Sequence, residues 1–143
     1  MKKVRVLHCL GQLNAGGAET LVMNLLSNID RNKFQFDFLV FNDQPGFYDE
    51  EAKTLGSHIY YLPSISDVGI KNYLNKMVEF FKVTKIDVVH SHMDWQGGFI
   101  SYAANKAGIK KMVVHSHADQ DMFKTNLSHR LLITINKYLI KKY

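Results

Sequence analysis

The 143-residue sequence contains one cysteine, Cys9, so no disulfide can form within the chain and a four-cysteine zinc site is excluded. Cys9 sits inside an apolar run, which predicts a buried, inert thiol in a reducing compartment. No apolar stretch approaches the roughly 18 residues needed to span a bilayer. The basic start Met1-Lys2-Lys3 is followed by an apolar segment that breaks at Gln12 and Asn14, too early for a secretory signal. These absences predict a cytoplasmic protein, or one attached to a membrane at its cytoplasmic face. Proline is scarce too: Pro45 and Pro63 are the two in the chain, and both fall in predicted loops. Internal repeats and low-complexity tracts are absent.

What is present fits one globular domain. A hydrophobic content of 46% and a charged content of 22% place the chain outside the disordered class, and its length suffices for a core. The formal net charge of +5 is uneven. Residues 1–119 carry 13 Lys/Arg against 12 Asp/Glu, whereas Lys124, Arg130, Lys137, Lys141 and Lys142 face only Asp121 in the remainder. A basic excess confined to one terminal segment does not point to nucleic acid as a partner.

Hydrophobic periodicity divides the chain into alternating strands and helices. Lys3 to Leu10, Phe34 to Phe41, His58 to Leu62, Ile86 to His92 and Met112 to His117 read as strands. Ala18 to Ile29, Phe47 to Leu55, Ile70 to Val83 and Trp95 to Ala107 read as helices, and Met122 to Tyr143 is a candidate fifth. Strict alternation implies right-handed parallel crossovers and an α/β, Rossmann-like, doubly wound sheet of order 3-2-1-4-5 with helices on both faces. Ligands of such sheets bind outside the carboxyl ends of the strands at the switch point, here between strands one and four. The most unusual stretches of the sequence end strands one, four and five.

Gly11 to Glu19 follows the first strand and opens a helix. Glycines let the backbone approach a ligand, and a helix N-terminus favours a phosphate or pyrophosphate; a plain strand-to-helix turn is the alternative. The spacing matches neither Gly-x-Gly-x-x-Gly nor the Lys-containing phosphate loop. The second strand has no acidic residue at its end for a ribose, with Asp43 in the turn beyond, so a nicotinamide cofactor is not expected. Glu19 lies in the first helical turn, where its charge favours the dipole by about 0.3–1 kcal/mol.

His90-Ser91-His92-Met93-Asp94 and His115-Ser116-His117-Ala118-Asp119 end strands four and five. Residues two apart on a strand share a face, so each motif presents paired imidazoles for acid–base work or for hydrogen bonds to sugar hydroxyls. His-x-His-x-Asp also begins a metallohydrolase ligand pattern, but that pattern continues with His. Here Trp95 and Gln120 follow, and no metal is expected. His8 and His58 read as structural, and His129 as solvent-facing.

Taken together, Val6 to Thr20 (with Gly16-Gly17-Ala18-Glu19), Phe36 to Val40, Tyr48 to Glu51, Asp87 to His92 and His115-Ser116-His117 resemble the N-terminal, acceptor-side domain of family-four retaining glycosyltransferases of the GT-B architecture, of the capsular and exopolysaccharide type. The resemblance runs along essentially the whole chain. It implies that Gly16 and Gly17 approach the phosphates and sugar of a nucleotide-diphosphate donor. It makes His92 the catalytic-centre residue that meets the transferred sugar. Asn14, Glu19, His117 and Asp119 are then expected to border a saccharide or lipid-linked acceptor, although relatives often carry Asn where Ala118 stands.

The resemblance further implies transfer without a metal or other cofactor, and a second, nucleotide-holding domain. Nothing in residues 1–143 matches the Arg/Lys pair and glutamates of that second half. The chain is therefore expected to be a truncated half, or a subunit completed by a partner chain, and inactive alone. A non-catalytic Rossmann-like binding subunit and a metallohydrolase are the alternatives. In the terminal segment Leu127, Leu131, Leu132, Ile135, Tyr138 and Leu139 make one apolar face. That face suits core packing, or alternatively a peripheral contact with an anionic membrane.

Overall fold

The computed structural model describes residues 2–116 and 127–143, apart from the side chain of His129. His117, Asp119 and the start of the expected terminal helix lie outside the described residues. Five parallel strands, β1 (Val4–Leu10), β2 (Phe34–Val40), β3 (Ile59–Tyr61), β4 (Val88–Ser91) and β5 (Met112–Val114), form one sheet. Their order is β3-β2-β1-β4-β5, as the alternating pattern predicts. The helices are α1 (Gly17–Asn28), α2 (Asp49–Thr54), α3 (Ile65–Val83), α4 (Gly97–Lys106) and α5 (Leu127–Lys142).

Side chains alternate across β1 and fill two cores. Leu7 and Cys9 pack with Tyr73, Met77 and Phe81 of α3 and with Phe99, Ile100 and Ala103 of α4. Leu10 joins Val22, Met23 and Leu26 of α1 on the opposite face, with Phe38 and Val40 of β2. Strands covered on both sides carry near-continuous apolar runs, which is why strands one and two were legible without strict alternation. Cys9 is fully buried, and burial pushes its thiol far above the ordinary cysteine range, consistent with an inert side chain.

Two element boundaries differ from expectation for local reasons. Helix α3 begins at Ile65 rather than Ile70, because Ser64 and Asp67 form a reciprocal capping box at its N-terminus. Gly69, with φ of 73°, then breaks the helical path, a left-handed conformation that glycine adopts without Cβ strain. Strands β4 and β5 end before their histidine motifs do: β4 at Ser91 and β5 at Val114. His92 and His115 therefore stand just beyond the sheet.

The apolar residues of α5 also divide. Leu132 and Leu139 pack into the α3/α4 core, while Leu127, Leu131, Ile135 and Tyr138 face outward. One stripe is thus two surfaces. Docking on α4 is close: Asn136 is fully buried, its Oδ1 accepts the Phe99 N–H at 2.8 Å, and its Nδ2 donates to the Leu132 carbonyl. A methyl group at Gly98 would come within 2.4 Å of the Asn136 carbonyl oxygen. Backbone cannot yield as a flexible side chain can, so Gly98→Ala is expected to cost about 1–3 kcal/mol, read as a lower midpoint in urea denaturation.

At the amino-terminal side of the sheet Asp37 is buried and accepts four kinds of hydrogen bond. Its partners are the Arg5 guanidinium, Gln35 Nε2 at 3.0 Å, the His58 backbone N–H at 3.0 Å and His58 Nδ1 at 3.0 Å. Burial alone would raise its pKa, but these bonds together hold it below the ordinary carboxylate range. His58 is therefore structural, as read from the sequence.

Candidate functional site at the carboxyl ends of strands one and four

Parallel pairing of β1 with β4 sets His8 directly beside His90. Both imidazoles lie on the same face of the sheet, and the chain beyond Ser91 brings a third against them. His92 donates its backbone N–H to the Cys9 carbonyl at 2.9 Å, so the sheet ladder continues one step past β4 and fixes where His92 stands. Ring centroids are separated by 4.1 Å for His90 and His92, 5.1 Å for His8 and His90, and 5.5 Å for His8 and His92. His115 joins them from the end of β5, with its ring centroid 5.6 Å from His92 and 6.0 Å from His90.

His8 and His92 are both buried, and His8 Nδ1 lies 3.2 Å from His92 Nε2. One of the two must present N–H and the other a lone pair, so each fixes the tautomer of its partner. Burial, reinforced by His90 and His92, pushes the His8 pKa down to about 3, so this imidazole is neutral at physiological pH. One nitrogen from each of His8, His90 and His92 can be chosen so that all three lie within 4.8 Å of one another. His8, read from the sequence as structural, thus packs within this cluster.

The loops around the cluster are tied together. Asp94 has a φ of 42°, a left-handed conformation uncommon outside glycine but tolerated by Asp. Its Oδ1 accepts a 3.2 Å hydrogen bond from Ser116 Oγ, which links the loop after β4 to the loop after β5. Ser91, fully buried, accepts the Met93 N–H on its Oγ.

The glycine loop leaves the neighbouring strand β1. Gly16 is the N-cap of α1, and its own N–H is spent on the Asn14 carbonyl at 2.9 Å. Gly17 has open space where a Cβ would be, whereas a Cβ at Gly16 would come within 2.3 Å of the Glu19 carboxylate. Glu19 therefore folds back over the N-terminus of its own helix, the place an anion would otherwise occupy. Asn14 is exposed; its Oδ1 accepts the Phe47 N–H at 3.2 Å, and its Nδ2 donates to Gln12 Oε1. That side chain ties the loop after β1 to the loop after β2.

Of the expected site residues, Asn14 and Gly16 lie in the loop after β1, Gly17 and Glu19 in the first turn of α1, and His92 just past the end of β4. Sequence reasoning singled out the motifs that contain Asp94 and His115 but gave those two residues no role of their own, and it read His8 as structural. The order 3-2-1-4-5 held the signal for His8, since it makes the last residues of strands one and four neighbours.

The sequence profile of Glycosyltransferase Family 4 matches residues 15–143. The chain belongs to glycosyltransferase family 4. It is 40% identical over 137 residues to the Bacillus subtilis (strain 168) glycosyltransferase EpsF, covering 95% of this chain and 36% of that protein. It is 28% identical over 118 residues to the Staphylococcus aureus capsular polysaccharide biosynthesis glycosyltransferase CapH, covering 82% and 32% respectively. The chain thus spans about a third of the length of the curated relatives it matches. A Thermobaculum terrenum O-GlcNAc transferase mutant shares its fold, with a TM-score of 0.56 at 11% identity over 79% of this chain and 20% of that one. Within this family fold, the glycine loop and the histidine cluster flank the switch point of the sheet.

Proposed function

We propose that this chain is the acceptor-side half of a family 4 enzyme that moves a sugar from a nucleotide diphosphate to a saccharide or lipid-linked acceptor. In this reading transfer retains configuration and needs no metal. Two observations support it: the open space at Gly17 at the N-terminus of α1, the helix that follows β1, and the bond from the His92 N–H to Cys9 near the end of β1. A helix N-terminus meets developing negative charge on a diphosphate, and a buried imidazole held by His8 supplies a fixed hydrogen-bond donor for the sugar. Glu19 must swing off Gly16 for a phosphate to enter, which gives it a gating part beside its expected contact with acceptor. Asn14 borders the acceptor through the loop it braces; His117 and Asp119, outside the described residues, are assigned to acceptor binding.

The cationic groups that neutralise most of the diphosphate charge are assigned to a second GT-B half or a partner chain, so residues 1–143 alone turn over negligibly. A lipid-linked acceptor would bring the protein to the cytoplasmic face of a membrane. Leu131 and Tyr138, exposed on α5 beside Lys137, Lys141 and Lys142, offer the apolar and basic groups for peripheral contact. Among the described residues no helix is long and apolar enough to cross a membrane.

The test joins residues 1–143 to the remaining two thirds of EpsF and follows sugar transfer by NMR of the product anomeric centre. The expected product keeps the donor's anomeric configuration, and residues 1–143 alone give none. An inverted product, or no transfer from the correctly folded fusion, overturns the reading.

A further inference from the structure

We propose that His8, His90 and His92 form a binding site for one divalent transition-metal ion of the zinc class, each residue contributing one ring nitrogen. The inference goes beyond glycosyl transfer; only the ion's effect on transfer rests on the proposed role of His92. Two imidazoles on paired strands and a third just past the end of β4 offer nitrogens within 4.8 Å of one another, the ligand number of a three-ligand zinc centre with an open fourth position. Zinc–nitrogen bonds of about 2.0–2.1 Å make tetrahedral ligand edges of roughly 3.3–3.4 Å. The His8 Nδ1 to His92 Nε2 separation of 3.2 Å is already close to such an edge. The His90 ring lies against that pair, with its centroid 4.1 Å from that of His92.

The backbone preorganises all three. His8 and His90 are register partners on paired strands, and the His92 N–H is held by the Cys9 carbonyl. Imidazole-only ligation selects zinc, copper, nickel or iron over magnesium and calcium, which prefer oxygen. An ion here would engage the imidazole assigned to the donor sugar, so zinc-class ions would act as inhibitors of transfer rather than as cofactors.

The test uses residues 1–143, free of any histidine tag and treated with chelator, titrated with cobalt(II) as a visible probe and with zinc(II) by calorimetry. The expected result is one equivalent bound, with cobalt d–d absorption of a low-coordinate nitrogen site. His90→Gln and His92→Gln are each expected to weaken binding at least about tenfold, because even groups that merely orient a ligand are worth about 10–100-fold. His58→Gln, outside the cluster, should leave affinity unchanged, and far-ultraviolet circular dichroism reports that each variant is folded. No cobalt spectrum and no zinc heat, or binding that survives both cluster substitutions, overturns the site.

Discussion

His92→Ala, made in the fusion of residues 1–143 with the remaining two thirds of EpsF, is expected to lower kcat/KM for sugar transfer by about 10²–10³, roughly 2.7–4 kcal/mol of transition-state stabilisation. The magnitude follows from placement. His92 is buried, its backbone is fixed by the Cys9 carbonyl, and its ring is oriented by His8 at 3.2 Å. A donor so preorganised pays no reorganisation when charge develops on the substrate. Steady-state kinetics check the expectation, alongside a thermal melt showing that the variant remains folded. A loss confined to KM would assign His92 to ground-state binding alone.

Asp37→Ala is expected to cost about 1.5–3 kcal/mol of stability, the range for hydrogen bonds to a charged group. The loss extends past the Arg5 pair, since Gln35 and two donors of His58 also lose their acceptor. Urea denaturation measures it as a lower midpoint. The native carboxylate is held below its unfolded value, so its contribution is complete above about pH 4 and is lost as pH falls through the depressed native value. The unfolding free energy of Asp37→Ala should therefore fall less steeply with acid than that of the wild type. Equal acid slopes would show that Asp37 does not carry this term.

Much of the fold is written in local pattern. Leu7, Cys9, Leu39 and Val89 announce strands covered on both faces, and strict alternation with helices fixes the sheet order. Gly69 and the Ser64–Asp67 box are also local signals, but a helical apolar stripe starting at Ile70 hides them. The split face of α5 was not legible, because Leu131 and Leu132 look alike until the position of α4 decides which one is covered. The site was half visible. Gly16, Gly17 and His92 stand out by type and position, whereas His8 looks like any buried strand residue until β4 is paired beside it. Asp94 gains its role from a positive φ and a bond to Ser116, neither of which composition reveals.

The most direct measurement is a protein NMR titration of residues 1–143 with UDP, UDP-glucose and GDP-mannose. The account expects saturable amide shifts centred on Gly16, Gly17 and His92, with the imidazole resonances of His8 and His90 moving in concert. Saturable shifts confined to other surfaces, such as the 42–43 loop and Ser64, would contradict a donor site at this switch point.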